Sequence, residues 1–246
     1  MIVLRDIIRD AAEKKIAVGH FNFSDLAGFR AIVRAASELK LPVILGVSEG
    51  EREFVGVETA AHLVARAREE YAPSFGAPAP FFLNADHTRS LEKAEEAVRA
   101  GFDAVLLDGS KLPMEENIRA TREAVARLKE LNPDLIVEGE LGYIGEASRL
   151  LRELPEGASL TSAEEAREFV RETGVDLFAP AVGNIHGMLV NAPNPQLHIQ
   201  LIAEIREASG VPLVLHGGSG IRDGDFTEAI QAGVSVIHVN TELRHA

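Results

Sequence analysis

The sequence has no cysteine, few basic residues and no long uninterrupted apolar run, and each shortage narrows what the chain can do. Without cysteine there are no disulfides, no thiol nucleophile and no thiolate metal site, so histidine and carboxylate remain the strong metal ligands. Lys and Arg number 25 against 38 Asp and Glu, a formal net charge of −13. That balance repels nucleic acid and anionic lipid headgroups, so neither is an expected partner, and any phosphorylated ligand must be held by local donors. The opening residues MIVLRDIIRDAAEKK thread charges through a helical apolar pattern and lack the apolar stretch of a signal peptide or membrane span. They read as the first helix of a cytoplasmic enzyme.

What is present is a repeated alternation. A length of 246 residues with 46% hydrophobic content suffices for a single domain spanning 1–246. Short β-branched or apolar runs, at 16–23, 42–47, 80–86, 104–108, 135–141, 177–182, 212–216 and 234–239, read as strands. Between them lie helical patterns at 26–39, 58–70, 91–100, 115–131, 163–173, 197–208 and 225–232, and Gly101, Gly174 and Gly233 stand where helix ends need a left-handed residue. Strict alternation predicts parallel strands with crossover helices, hence an α/β fold of the (β/α)8 TIM-barrel type with an N-terminal helix. An open doubly wound sheet is the alternative. Only seven residues follow the eighth strand, so the last helix is expected to be missing or truncated. Residues 142–160 form the one long connection without a clear pattern, of the kind that often serves as a lid.

In a barrel of parallel strands chemistry collects at the C-terminal strand ends. Strand three ends Asn84-Ala-Asp86-His87, strand four Asp108-Gly-Ser110, strand six runs into Gly183-Asn-Ile-His186-Gly187, and strand seven ends His216-Gly-Gly-Ser219-Gly220. Three histidines from three strand ends fit a three-imidazole zinc site with a coordination position left open for substrate; singly, a histidine at a strand end is more often a hydrogen-bonded structural residue. Asp86 is a candidate proton-transfer group, or else a helix cap or a partner of a metal-bound imidazole. Glu138 and Glu140, two apart on one strand face, either orient imidazoles or bind a cation, or pair with neighbouring Arg and Lys. Asp108 is open between these readings. The glycine-rich turn at 216–221 and Asn240-Thr241 after strand eight suit phosphate binding by backbone N–H groups and hydroxyls, a plain tight turn being the alternative. His62 and His198 read as surface residues, and His20, inside strand one, is open to an inward position but has no assigned role.

These segments resemble the class II fructose-bisphosphate and tagatose-bisphosphate aldolases along nearly the whole chain. The matching blocks include Phe21-Asn22-Phe23, residues 42–50 (PVILGVSEG), Asn84-Ala-Asp-His87, Asp108-Gly-Ser110, Glu138-Gly-Glu-Leu-Gly142, Gly183-Asn-Ile-His-Gly187, His216-Gly-Gly-Ser219 and Asn240-Thr-Glu-Leu243. The resemblance implies that His87, His186 and His216 hold Zn2+, that Asp86 moves the proton of the hydroxyl on the scissile bond, and that Glu140 supports a ligand. It further implies a dihydroxyacetone-phosphate enediolate stabilised by zinc, with the ketose phosphate on Gly187, Gly217, Ser219 and Thr241 and the far phosphate near Asn22 and Ser48. A homodimer or homotetramer and a second monovalent or divalent cation belong to the same expectation. Several positions depart from the family pattern. Ser148 stands where a loop glutamate would handle the carbon proton, leaving Glu146 as the nearby substitute; Met188 follows His186-Gly187 in place of an aromatic residue, and the lysine that follows it is absent. His238 replaces an asparagine that contacts the ketose, and reads as a further ligand, an acid/base group or a packing residue. A sugar-phosphate binder without turnover and a zinc hydrolase are the competing readings.

Overall fold

A strand that feeds a crossover helix rejoins its sheet in parallel, and eight such units close on themselves here. The computed structural model describes residues 3–145 and 148–245. Its strands are β1 (Val18–Asn22), β2 (Val43–Ser48), β3 (Phe81–Thr88), β4 (Ala104–Leu107), β5 (Ile136–Leu141), β6 (Leu150–Leu151), β7 (Leu177–Pro180), β8 (Met188–Leu189), β9 (Leu213–Leu215) and β10 (Val234–Val239). The helices are α1 (Leu4–Lys14), α2 (Leu26–Leu39), α3 (Glu49–Val55), α4 (Val57–Glu70), α5 (Ala72–Phe75), α6 (Leu91–Ala100), α7 (Met114–Leu131), α8 (Ala163–Thr173), α9 (Ile199–Ser209), α10 (Asp223–Ala232) and α11 (Thr241–His245). The barrel closes in the order β1-β2-β3-β4-β5-β7-β9-β10, with β10 returning to β1 through the register His20↔His238.

Both faces of these strands are buried, so polarity alternation is weak, but the inward positions change character along the barrel axis. At the N-terminal end Val18, Ile44, Phe82, Ile136, Val214 and Val236 form an apolar layer, plugged by Leu4, Ile8 and Ala11 of α1 at helical spacing. Burying Leu4 and Ile8 contributes roughly 1.5–3 kcal/mol each. Asp176, just before β7, ties this plug down by accepting from Arg5, Lys129 and the Val137 amide. Two residues further along the strands the buried inward set is His20, Asn84, Glu138, His216 and His238, and two further again Asn22, Asp86 and Glu140. The outward residues of the same strands, among them Leu45, Phe81, Leu83, Val105 and Val137, pack against the helical ring.

The expected strands all form, most of them shorter by one or more residues at an end, and Asp108 lies just beyond β4. Two features depart from the sequence reading. Helices α3 and α5 flank α4, where only one helix is expected. The long connection contains β6, which pairs in parallel with β8, so part of it is anchored to the segment after His186. The expectation of a missing or truncated last helix is met by the five-residue helix α11 after β10. No helix among the described residues is long and apolar enough to cross a membrane.

Candidate metal and active site

The C-terminal end of the barrel opens into a cavity of about 400 Å³. Asn22, Ser48, Asp86, His87, Asp108, His186, Gly187, His216, Gly217, Ser219, His238, Asn240 and Thr241 all line it, together with Ser148. Glu138 and Glu140 lie beneath this lining, almost fully buried, and their partners are imidazoles. Glu146 lies outside the described residues.

Three histidines converge at the cavity floor. The ring centroids of His87 and His186 are 4.8 Å apart, His87 and His216 5.0 Å, and His186 and His216 5.7 Å. Each ring spends one nitrogen on an acceptor: His87 Nδ1–H donates to Asp108 Oδ2 (3.0 Å), His186 Nδ1–H to the Gly145 carbonyl (2.8 Å) and His216 Nε2–H to Glu138 Oε1 (2.8 Å). The remaining nitrogens are left for a shared ion, and one ligating atom from each ring lies within 4.8 Å of the others. Carboxylate or carbonyl partners that fix the tautomer and raise basicity are what a histidine metal site requires. The donor set therefore fits a divalent cation such as zinc.

Local backbone chemistry holds these rings in place. His87 adopts φ 41°, a left-handed conformation that is costly outside glycine. The buried Arg52 guanidinium clamps the stretch around it, donating to the carbonyls of Val47 (2.7 Å) and Asp86 (3.1 Å) and to Thr88 Oγ1 (2.9 Å). Asn184 Nδ2 donates to the His216 carbonyl at 3.0 Å, joining the loops that carry His186 and His216. Gly217 has φ 63°, and a Cβ there would strike the Ile185 carbonyl oxygen, so the turn after His216 must be glycine.

Beside the three rings sits Asp86, 3% exposed. Its Oδ2 accepts from Asn22 Nδ2 at 2.9 Å, and Asn22 also donates to Glu51 Oε2 at 2.8 Å. Glu51 closes the capping box of α3 with Ser48 and accepts from Arg244 at 2.7 Å. Asp86 Oδ1 has no hydrogen-bond partner and faces His238 Nδ1 at 3.5 Å and His87 Nε2 at 3.9 Å.

Burial and neighbouring charges oppose one another in the site, and which prevails differs from group to group. Burial would raise Asp86, yet His87, His238 and His20 outweigh it and hold the carboxyl well below its ordinary range. Burial would lower His87, but Asp86, Asp108 and Glu140 push it up to about 10. For His186 burial and its two histidine neighbours outweigh the Gly145 carbonyl and Asp86 and bring it down to about 3. Burial and Asp108 raise Glu140 to about 7.

Residues 3–246 match the family described as class-II fructose-bisphosphate aldolase. The chain belongs to that family. Relatives of this class II aldolase include the fructose-bisphosphate aldolase of Geobacillus stearothermophilus, 37% identical over 98% of this chain and 81% of that one. The Staphylococcus aureus (strain Mu50) fructose-bisphosphate aldolase is 35% identical over 98% and 82%. Among solved structures the YdjI aldolase from Escherichia coli K12 superposes with a TM-score of 0.80 at 34% identity, covering 99% of this chain and 82% of that one. The barrel, the membership and the aldehyde-lyase class thus agree with the resemblance drawn from the sequence blocks.

Sequence reasoning missed part of this aldolase's site. His20 is fully buried and stacks on His238, with centroids 3.5 Å apart and planes 3° apart. Glu51 and Arg52 carry the network behind Asp86; the Ser48-x-x-Glu51 spacing is a readable capping box, but its burial is not readable. Asp86 caps no helix, Ser90 serving that purpose for α6.

Proposed function

We propose that this class II aldolase is zinc-dependent and cleaves or forms ketose bisphosphates of the fructose or tagatose type, with dihydroxyacetone phosphate as one product. The observation that carries the reading is the arrangement of His87, His186 and His216, each with one nitrogen tied and the other free, next to an ionised carboxylate in an open cavity. His87, His186 and His216 would hold the ion, oriented by Asp108, the Gly145 carbonyl and Glu138. When bound, zinc supplies Lewis-acid polarisation of the ketose carbonyl.

Asp86 is the proton-transfer group for the hydroxyl at the scissile bond. Its Oδ1 carries no internal hydrogen bond, so it is available to that hydroxyl, while Asn22 fixes Oδ2. The turn at Gly217 to Ser219, with Gly187 and Thr241, lines the cavity with backbone N–H groups and hydroxyls that can receive the ketose phosphate, and the other phosphate is assigned to the neighbourhood of Asn22 and Ser48, which line the same cavity. Asn240 and His238 flank the ketose unit. Glu146 is assigned the carbon-bound proton from its place in the sequence alone. We extend the proposal to one domain over 1–246, a cytoplasmic homodimer or homotetramer, and no nucleic-acid or membrane partner.

The test is cleavage of a panel containing fructose 1,6-bisphosphate, tagatose 1,6-bisphosphate and their monophosphates by zinc-loaded protein. Turnover of a bisphosphate supports the reading. Binding of these sugars without turnover of any would instead make the protein a sugar-phosphate binder.

A further inference from the structure

Asn194 takes part in no step of the proposed reaction, yet its side chain joins the two stretches of backbone given to the ketose phosphate. Its Nδ2 donates to the Gly187 carbonyl at 3.1 Å and to the Ser219 carbonyl at 3.0 Å, while its Oδ1 accepts from the Leu189 N–H at 3.0 Å. Two carbonyls need the NH2 group and one N–H needs the oxygen, so the partners themselves fix which way the amide faces. One end of this bracket follows the metal-binding His186 in sequence, and the other follows His216.

Local sequence presets the bracket. Asn194 stands between Pro193 and Pro195; the ring of Pro195 confines Asn194 to extended backbone, and Pro193 has its own φ fixed. Gly220 leaves room for the side chain: its φ is 80°, and a Cβ there would come within 3.1 Å of Asn194 Nδ2 and 3.3 Å of Met188 Cγ. Gly187, Gly217 and Ser219 line the open cavity, and their N–H groups have no partner among the described residues. Asn194 lies outside that lining. Donors carried on separate turns can serve one anion only if the turns are held in a fixed relation, which is what a bracket between their carbonyls provides.

We propose that Asn194 is the positioning residue of the ketose-phosphate site, holding the Gly187 and Ser219 turns where their N–H groups converge on one phosphate monoester. It acts through those turns without touching the substrate, and it makes the enzyme selective for a ketose unit that carries a phosphate. The inference deepens the proposed function and rests on its placement of the ketose phosphate. His186 is held independently of Asn194, its backbone N–H by the Ile144 carbonyl at 2.9 Å and its Nδ1–H by the Gly145 carbonyl at 2.8 Å, so metal binding survives loss of the bracket.

Calorimetry of dihydroxyacetone phosphate and of dihydroxyacetone on the zinc-loaded full chain, native and substituted at Asn194, tests it, since the two ligands differ only in the phosphate. Asn194→Asp keeps the side-chain volume and the acceptor for the Leu189 N–H but turns an oxygen toward the two carbonyls, and Asn194→Ala removes all three bonds. Losing two hydrogen bonds should weaken dihydroxyacetone phosphate at least about five-fold in both variants, while the Kd of dihydroxyacetone, and that of zinc in chelator competition, stay within about two-fold of native. A smaller loss for dihydroxyacetone phosphate overturns the inference. Equal weakening of both ligands, or a parallel loss of zinc, overturns it too, by making Asn194 a general support of the barrel mouth. Failure of the underlying phosphate assignment shows in the native protein instead, as dihydroxyacetone phosphate bound no more tightly than dihydroxyacetone.

Discussion

Replacing Asp86 by asparagine isolates proton transfer from metal binding and from packing. The substitution preserves side-chain volume in a pocket where the carboxylate is 3% exposed. It removes the charge that His87 and His238 face at 3.9 and 3.5 Å. The neutral amide cannot accept the hydroxyl proton, so the loss expected is that of a positioned general base, about 10²–10⁴-fold in kcat. At 1.36 kcal/mol per decade this corresponds to roughly 3–5 kcal/mol of barrier. Asp86 is not one of the three imidazoles, so Asp86→Asn should keep the equivalent of zinc that they hold. The assay is steady-state cleavage of a ketose bisphosphate, with metal per chain measured on the same preparation. A kcat within ten-fold of the native value, or loss of that equivalent of zinc with the activity, refutes the reasoning.

Glu138→Gln weakens the acceptor that orients His216 through the 2.8 Å contact, and should lower zinc affinity about 10–100-fold in chelator competition; an unchanged Kd would contradict the orienting role. Arg52→Met leaves the carbonyls of Val47 and Asp86 without their buried donor and should cost about 2–4 kcal/mol in urea unfolding, a change under about 0.5 kcal/mol counting against the clamp. His20 is lowered to about 4 chiefly by burial, so in the metal-free folded protein it resists a proton that the unfolded chain takes up below pH 6.5. Its contribution to stability is therefore lost as pH falls from 6.5 toward 4, on the order of 3 kcal/mol, and His20→Gln should flatten that part of the stability profile; parallel profiles for the two proteins would refute it.

Most of the barrel was legible because its strands are short apolar runs separated by capped helices, a pattern that alternation alone resolves. The three imidazoles were legible for a related reason: His87, His186 and His216 all follow the ends of runs, where a parallel barrel gathers polar groups. His20 was not. In Val18-Gly-His-Phe-Asn22 the outward face carries Gly19 and the apolar Phe21 while the inward face carries two polar residues, so the polar pattern runs opposite to burial, and closure against β10 is what fixes position 20 as inward. Arg52 was hidden for another reason, since a charged residue in a short helix reads as solvent-exposed until its guanidinium is seen to meet the Val47 and Asp86 carbonyls. Strands β6 and β8 have two residues each, too few for any periodic signal, and their pairing is a tertiary contact between separate loops.

The account stands on one ion shared by His87, His186 and His216. Stepwise removal of metal by a chelator, with bound zinc and ketose-bisphosphate cleavage followed in the same samples, tests it most directly. The account predicts that cleavage vanishes with the last equivalent of zinc and returns when zinc is restored. Cleavage that persists in protein stripped of all divalent metal would contradict it.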